Sequence, residues 1–173
     1  MKRLYYIRHG LSEMNQAGLY AGSTDTPLTN AGRQAALSAG KDAGQLDIDI
    51  IIVSPLSRAQ ETARLFAEAA GLPTSIITTN PLLVERNFGT LEKTPWTLEA
   101  SRTLLDDSLP EGVEPWTTLM LRAEKLVKEV TRLESETILL VGHGGIGRAI
   151  RKVVRPEIDQ NTVIPNTELI RLI

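Results

Sequence analysis

The sequence predicts a layered α/β fold with a mostly parallel central sheet. Strand-like and helix-like segments alternate along the 173 residues, which is typical of strands connected by helices. Residues 48–53 are nearly all Ile and Val, a composition typical of a strand buried on both faces. Segments with apolar residues at helical spacing lie between the predicted strands, so helices are available to cover the sheet.

Five segments have the composition of strands. Each is short, rich in apolar or β-branched residues, and bounded by polar residues, Gly or Pro. The predicted strands are residues 4–7, 48–53, 74–78, 137–141 and 169–173.

Three helices are predicted from apolar residues that recur every three or four positions. The stripes are Ala59, Ala63, Phe66 and Ala70; Trp116, Leu119, Ala123, Leu126, Val130 and Leu133; and Ile146, Ala149, Ile150 and Val153. Pro27 and Thr29 indicate the start of a further helix, with Thr29 as its N-cap.

Two segments lack a regular pattern. Residues 11–27 are rich in Gly, Ser, Thr, Asp and Asn, and are predicted to form a functional loop. Residues 91–115 contain three prolines and are predicted to form a short lid, with a brief helix between loops. Since no repeat or linker is visible, we expect a single domain over residues 1–173.

Composition excludes several classes of function. A formal net charge of −2 gives no support for binding nucleic acid or a membrane surface. The absence of cysteine excludes disulfides, thiolate metal ligands and cysteine-based phosphatase chemistry. The first apolar run ends at Arg8, too early for a signal peptide, and no run is long enough to span a bilayer. We therefore expect a cytoplasmic protein.

The two histidines, His9 and His143, each follow a predicted strand and precede a glycine. In open α/β sheets, ligands bind beyond the carboxyl ends of the strands, so both imidazoles are expected at one crevice. Gly144 also begins a predicted helix, whose N-terminus favours anions. Two structural histidines are one alternative. A metal site is another, which a pair of histidines without Cys or a His-x-Glu-x-x-His motif supports weakly.

Two arginines favour phosphate chemistry at that crevice. Arg8 lies beside His9, where its charge disfavours imidazolium and preserves the lone pair that a nucleophile needs. Arg58 follows the second predicted strand at the start of a helix, so it is expected near the same edge. A planar guanidinium binds phosphate through two parallel donors. The alternative for Arg58 is a solvated surface residue.

Five segments in order carry a family resemblance. They are Arg8-His9-Gly10 with the residues through Asn15, the loop Gly18 to Gly32, Ser54-Pro55-Leu56-Ser57-Arg58, Glu85-Arg86-Asn87-Phe88-Gly89, and Val141-Gly142-His143-Gly144-Gly145. This ordered set resembles the histidine phosphatase superfamily, which includes cofactor-dependent phosphoglycerate mutases. The resemblance implies a three-layer α/β/α sandwich.

The resemblance also implies a mechanism that needs no metal and no other cofactor. His9 would attack phosphorus and become phosphohistidine, while Arg8, Arg58 and His143 complete the charged pocket. Glu85 would protonate the departing oxygen and then activate water. Taken alone, Glu85 would be read as a surface carboxylate.

Further residues match the substrate side of such pockets. Asn15 would be an additional donor, and Gly144 would contribute to phosphate binding. Ser12, Ala21 and Gly22 match substrate-lining positions of the mutases, with ordinary loop chemistry as the alternative. Ser54 and Ser57 are predicted as a strand stop and a helix cap rather than as nucleophiles. Trp96 and Trp116 are candidates for an apolar wall over the site, although the position of Trp116 on a helical stripe favours core packing.

The lid segment separates two activities of the family. Mutase members of the family carry a large insertion with paired arginines at this point. Residues 91–115 have only two cations, Lys93 and Arg102. Their later part is acidic, with Asp106, Asp107, Glu111 and Glu114. An acidic lid repels a substrate carboxylate. We therefore expect a phosphomonoesterase, with mutase-type transfer as the alternative and a non-catalytic phospho-ligand binding module as a third.

The expected partner is a small phosphorylated metabolite. Candidates are sugar phosphates, phosphoglycerates and nucleotide-derived phosphates such as α-ribazole phosphate, together with protein phosphohistidine. The sequence leaves the oligomeric state open, with a homodimer as one option.

Overall fold

The central sheet has five strands, four of them parallel. A computed structural model describes residues 2–105 and 108–173 of the chain. The strands are β1 (Arg3–Arg8), β2 (Ile50–Val53), β3 (Ile77–Thr79), β4 (Thr137–Gly142) and β5 (Leu169–Arg171). Their order is β3-β2-β4-β1-β5, and only β5 pairs antiparallel, with β1. The predicted mostly parallel sheet is confirmed.

Helices cover both faces of this sheet. They are α1 (Glu13–Gln16), α2 (Asn30–Asp42), α3 (Ser57–Ala69), α4 (Leu98–Thr103), α5 (Trp116–Thr131) and α6 (Gly144–Val154). Helices α2 and α3 pack on one face, and α5 and α6 on the other. This arrangement confirms the three-layer α/β/α sandwich.

The two cores follow from the alternation of side chains along each strand. In β1, Leu4 and Tyr6 join the core under α5 and α6, whereas Tyr5 and Ile7 join the core under α2 and α3. All six residues of β4 are buried because this strand lies between two parallel neighbours with a helix layer on each side. The Thr29 side chain accepts a hydrogen bond from the Gly32 backbone, which confirms the predicted N-cap of α2.

The structure corrects three boundaries. Residues 74–76, predicted as strand, form a 3-10 turn that begins directly after Pro73, and pairing with β2 starts at Ile77. The second strand begins at Ile50 rather than at residue 48, and the last ends at Arg171. The predicted loop 11–27 contains α1, because Ser12 and Asn15 form a reciprocal capping box around its first turn.

Residues 91–115 contain one short helix, α4, as predicted, and their first part pairs with the loop that follows α1. The Tyr20 backbone donates to Thr94 O at 2.9 Å, and the Trp96 backbone donates to Gly18 O at 2.7 Å. Two of the acidic residues in the predicted lid, Asp106 and Asp107, lie outside the described residues.

Within the two described ranges, no helix combines the length and apolarity needed to cross a bilayer.

Candidate active site

Three strand ends bring the candidate residues together. His9 follows β1, Ser54 follows β2 and His143 follows β4, and these three strands are neighbours in the sheet. The ring centroids of His9 and His143 are 5.0 Å apart. Arg58 reaches the same place from the first turn of α3, and its Nε lies 3.3 Å from His9 Nε2. The predicted convergence of two imidazoles and a guanidinium is therefore present in the structure.

His9 is held as a neutral ring with a defined tautomer. Its Nδ1 lies 2.7 Å from Gly10 O. Because a carbonyl oxygen can only accept, Nδ1 carries the hydrogen and Nε2 carries the lone pair. Burial, followed by the charges of Arg8 and Arg58, holds the pKa of His9 well below its ordinary value. The charge of Arg8, expected from the sequence to lower this pKa, does so, but burial is the larger cause.

The main chain around His9 is fixed from two directions. Asn166 Nδ2 donates to His9 O at 2.7 Å, and Gly10 N donates to Thr62 Oγ1 at 3.0 Å. A side chain at Gly10 would overlap the backbone of Gly32, so the loop passes α2 at a distance that only glycine permits.

Arg58 is buried, with 1% of its surface exposed, and its guanidinium is aimed by a loop. Its Nη1 donates to Thr24 O at 2.9 Å, and its Nη2 donates to Gly22 O at 2.7 Å. Asp25, at 3.8 Å, is its only ion-pair partner among the described residues. The alternative of a solvated surface arginine is excluded by this burial.

Two buried nitrogen atoms at the site have no hydrogen-bond partner within the described parts of the chain. They are Arg8 Nε and His143 Nδ1. Arg8 also donates from Nη1 to Ile164 O at 3.0 Å, and His143 Nε2 lies 2.7 Å from Ser54 Oγ. A buried unpaired donor costs roughly 1–3 kcal/mol, and such groups are frequent where a ligand completes the bonding.

His143 is also held neutral. Burial, then the charges of His9 and Arg58, keeps the pKa of His143 well below its ordinary value. Ser54, predicted only as a strand stop, therefore has a second contact, since its hydroxyl faces His143 Nε2. Ser57 does not cap α3 with its side chain. Its hydroxyl instead donates to Asp25 Oδ1 at 2.7 Å, and Leu56 occupies the N-cap position.

Glu85 is buried beneath the N-terminus of α6 and is not a surface carboxylate. Its Oε2 accepts from Gly145 N at 2.9 Å, and its Oε1 accepts from Ile146 N at 3.0 Å and from Arg86 N at 2.7 Å. These bonds satisfy backbone donors that α6 would otherwise leave free at its first turn. The carboxylate also lines the cavity next to His9.

The cavity has a volume of about 320 Å³. It is lined by Arg8, His9, Leu11, Asn15, Gly18, Leu19, Tyr20, Ala21, Gly22, Arg58, Glu85, Phe88, Trp96, Gly144, Gly145, Arg148, Val163, Ile164 and Asn166. Most predicted site residues are in this set. His143 instead packs against the His9 ring, and Ser12 is fully buried as the N-cap of α1, where its hydroxyl accepts from Asn15 N at 3.2 Å.

Several lining residues were not found from the sequence. Tyr20, Phe88 and Arg148 were not singled out, although Trp96 was predicted as a wall and does line the cavity. Asn166 lies 157 positions from His9, and no local pattern marks it. Trp116 is half-buried at the start of α5, where it packs against the core as predicted.

Metal ligands do not cluster here. The described residues hold no group of three or more His, Cys, Asp or Glu side chains arranged to bind a metal ion. The donor set around His9 is cationic, which suits an anion.

A three-layer α/β fold with a neutral histidine set among arginines defines a phosphoryl-binding class of protein. Comparison of the sequence with models of known protein families identifies the family. The chain belongs to the histidine phosphatase superfamily (branch 1), whose family model matches residues 4–172.

Relatives within the superfamily carry two kinds of name. A protein from Enterobacter sp. (strain 638), named a probable phosphoglycerate mutase, is 35% identical over 155 residues, covering 83% of this chain and 70% of its own. The adenosylcobalamin/α-ribazole phosphatase of Escherichia coli (strain K12) is 30% identical over 159 residues, covering 83% and 74%. Both names describe phosphoryl chemistry, so the family supports a phosphatase or phosphoryl-transfer enzyme.

Solved structures share the fold over nearly the whole chain. The α-ribazole phosphatase from Shigella flexneri aligns with a TM-score of 0.82 at 25% identity, covering 96% of this chain and 88% of that one. A mycobacterial glucosyl-3-phosphoglycerate phosphatase, solved with VO3, aligns with a TM-score of 0.85 at 24% identity, covering 99% and 92%. The second likeness shows the fold alone.

Proposed function

We propose that this protein is a metal-independent phosphomonoesterase that acts on a small phosphorylated metabolite through a phosphohistidine intermediate. The observation that carries the proposal is the state of His9: Nδ1 donates to a carbonyl, leaving the Nε2 lone pair beside Arg58 in a cationic cavity. An uncharged imidazole nitrogen is a nucleophile, and the surrounding guanidiniums stabilise the charge of a transferring phosphoryl group.

Phosphate binding follows from the unpaired donors. Arg8 Nε and His143 Nδ1 are buried and have no hydrogen-bond partner among the residues that the structure describes, and each would donate to a phosphoryl oxygen. In this assignment the Ser54 hydroxyl donates to His143 Nε2, so the ring hydrogen is on Nδ1. Gly144 and Asn15 line the same cavity and would add contacts to the ester.

The reaction then has two steps. His9 Nε2 forms a bond to phosphorus while the ester P–O bond breaks, and Glu85, which carries a proton in the reactive complex, gives that proton to the departing oxygen. Water next attacks the phosphohistidine and gives a proton to Glu85, which releases inorganic phosphate and neutral His9. Because both Glu85 oxygens accept backbone hydrogen bonds in the structure, proton transfer requires one oxygen to exchange a backbone donor for the substrate oxygen.

The test is hydrolysis of p-nitrophenyl phosphate in the presence of EDTA. We expect turnover that survives chelation and is abolished in His9→Ala. Lys128→Ala, an exposed change on α5 purified in parallel, should keep full activity, which excludes a nonspecific effect of substitution or purification. If His9→Ala retains wild-type turnover, or if chelation removes the activity, the proposal is wrong.

Mutase-type transfer is the second candidate, favoured by the name of the Enterobacter relative. A mutase keeps its phosphohistidine from water and holds an acidic substrate in two orientations. The segment 91–115 of this chain offers only Lys93 and Arg102 for that purpose, and both are exposed. Interconversion of 3- and 2-phosphoglycerate much faster than hydrolysis of either would establish the mutase instead.

A further inference from the structure

A third arginine enters the cavity from α6 at a fixed distance from the candidate phosphate site. Arg148 lines the cavity four positions after Gly144, so both residues lie on one face of the helix. A Cβ placed on Gly144 would lie 3.5 Å from Arg8 Cζ, which shows that this face points at the phosphate-binding guanidinium. Four residues of helix advance about 6 Å, so Arg148 starts about 6 Å farther along the cavity wall.

Among the described residues Arg148 has no acidic partner in direct contact, although the charge of Glu85 acts on it from a distance. Within residues 2–105 and 108–173, its guanidinium makes no hydrogen bond or ion pair, whereas Arg33, Arg64 and Arg122 are each paired with a glutamate. The guanidinium stacks over the ring of Trp116, whose centroid lies 6.0 Å from Arg148 Cζ. This stacking fixes the side chain without neutralising its charge.

The charge of Arg148 is costly where it lies. It is half-buried near two other cations, Arg8 and Arg86. Burial lowers the pKa of both arginines, and the charge of Arg148 lowers it further, whereas the charge of Glu85 acts in the opposite direction. Of the described residues that line the cavity, Glu85 alone is acidic, and its oxygens accept hydrogen bonds from the backbone of α6. A cleft lined mainly by one sign of charge attracts ligands of the opposite sign, so this group of arginines favours an anionic ligand.

We propose that Arg148 binds a second anionic group, a carboxylate or a phosphate, of the phosphomonoester that the cavity holds. This inference rests on the proposed function and specifies its substrate class: esters with two anionic groups separated by a short carbon chain. The cation that meets the second group comes from α6, and not from the segment 91–115. Selectivity for an acidic substrate is therefore compatible with the acidic composition of that segment.

The decisive measurement compares substrates that differ only in the second charge. The first pair is 3-phosphoglycerate and glycerol 3-phosphate, which share a three-carbon skeleton and differ in a carboxylate. The second pair is fructose 1,6-bisphosphate and fructose 6-phosphate, which differ in a phosphate. We expect wild-type kcat/KM to favour the doubly anionic member of at least one pair by tenfold or more. The pair that responds identifies the group as carboxylate or phosphate.

Substitution then assigns the preference to Arg148. In Arg148→Gln the ratio of kcat/KM within the responsive pair should fall at least tenfold, through KM, and Arg148→Lys should restore part of it. Lys128→Gln removes the same charge from an exposed position of α5 and should leave the ratio unchanged. The inference is overturned if neither pair shows a preference, or if Arg148→Gln lowers both members of the pair equally.

A binding arm separates this inference from the proposed function. Calorimetric titration of each substrate pair into His9→Ala protein measures the same preference without turnover. If wild-type protein hydrolyses no ester but binding of the doubly anionic member is tenfold tighter and depends on Arg148, the phosphatase assignment fails and the subsite stands. Equal affinities within both pairs, or no binding at all, refute the subsite.

Discussion

Glu92 is predicted to control His9 from a distance, through the loop that holds Arg58. Its Oε1 accepts from Ser23 N and Ser23 Oγ, both at 2.9 Å, and its Oε2 accepts from Thr24 N at 3.0 Å and from Thr24 Oγ1. The carbonyls of Gly22 and Thr24 in turn accept from the Arg58 guanidinium. Glu92 is therefore a positioning residue for Arg58.

The change Glu92→Gln tests this connection. An amide keeps one acceptor oxygen but places an NH2 group where the other oxygen stood, so a donor such as Thr24 N faces another donor. An unsatisfied donor costs about 1–3 kcal/mol, and partial solvent access at this half-buried side chain reduces the expected cost to about 1–2 kcal/mol. For a domain of this size we expect Tm to fall by about 2–8 °C. Displacement of Arg58 should lower kcat/KM by about 10- to 100-fold.

The diagnostic measurement is the pH profile of kcat/KM. Because Arg58 helps to hold the pKa of His9 below its ordinary value, a loosened Arg58 should let that pKa rise. The acid limb of the profile should therefore move to higher pH in Glu92→Gln. Glu61→Gln, which removes a carboxylate paired with Arg33 on the outer side of α2 and α3, should leave the limb in place. A folded Glu92→Gln enzyme with wild-type kcat/KM and an unmoved acid limb would refute the positioning role.

Three further predictions concern the same site. Gly22 has φ +53°, and a Cβ at this position would overlap Glu92 Oε1. Gly22→Ala should therefore lower the free energy of unfolding, measured by thermal denaturation, by about 1–3 kcal/mol and also lower activity. Wild-type stability and activity in this variant would contradict the prediction. The pKa of His9 is lower in the folded protein than its ordinary value of 6.5. The contribution of neutral His9 to the free energy of unfolding is therefore fully present above pH 6.5 and is lost as the pH falls below it. An NMR titration of His9 with a midpoint at or above 6.5 would contradict the burial argument. Asn166→Ala removes the donor to His9 O and should lower kcat about tenfold with a loss of roughly 1 kcal/mol in urea unfolding. Asn161→Ala, at a half-buried turn residue whose side chain donates to Asp159 rather than to the site, serves as the control.

Much of the fold was predictable because its signals are local. The buried strand runs before His9, Arg58 and His143 carry the composition of parallel strands, and each helix stripe has the correct period. Parallel topology then places these strand ends at one edge, so the meeting of the three side chains follows from the pattern. The boundary at Ile77 was missed because the turn after Pro73 outweighs the β-branched composition of residues 74–76.

The residues that sequence reasoning missed depend on contacts between distant segments. Glu92 faces the loop at Ser23, and Asn166 bonds the backbone of His9, yet neither residue type is unusual where it stands. Arg148 lies on the polar side of an amphipathic helix, where arginine is common, and only the cavity distinguishes it. Such roles are set by tertiary geometry, so a single sequence carries no periodic signal for them.

The position of β1 in the sheet has a consequence for biosynthesis. This strand lies between β4 and β5, and Arg3 pairs in register with Thr137, a separation of 134 residues. At ribosomal rates of about 5–20 residues per second, β1 waits about 7–27 s for its first neighbour, with its apolar residues exposed to other chains. The backbone at His9 also lacks its hydrogen bond from Asn166 until that residue has been synthesised. A translating ribosome therefore carries an inactive, aggregation-prone chain for most of the synthesis time, and chaperone dependence should appear at this stage.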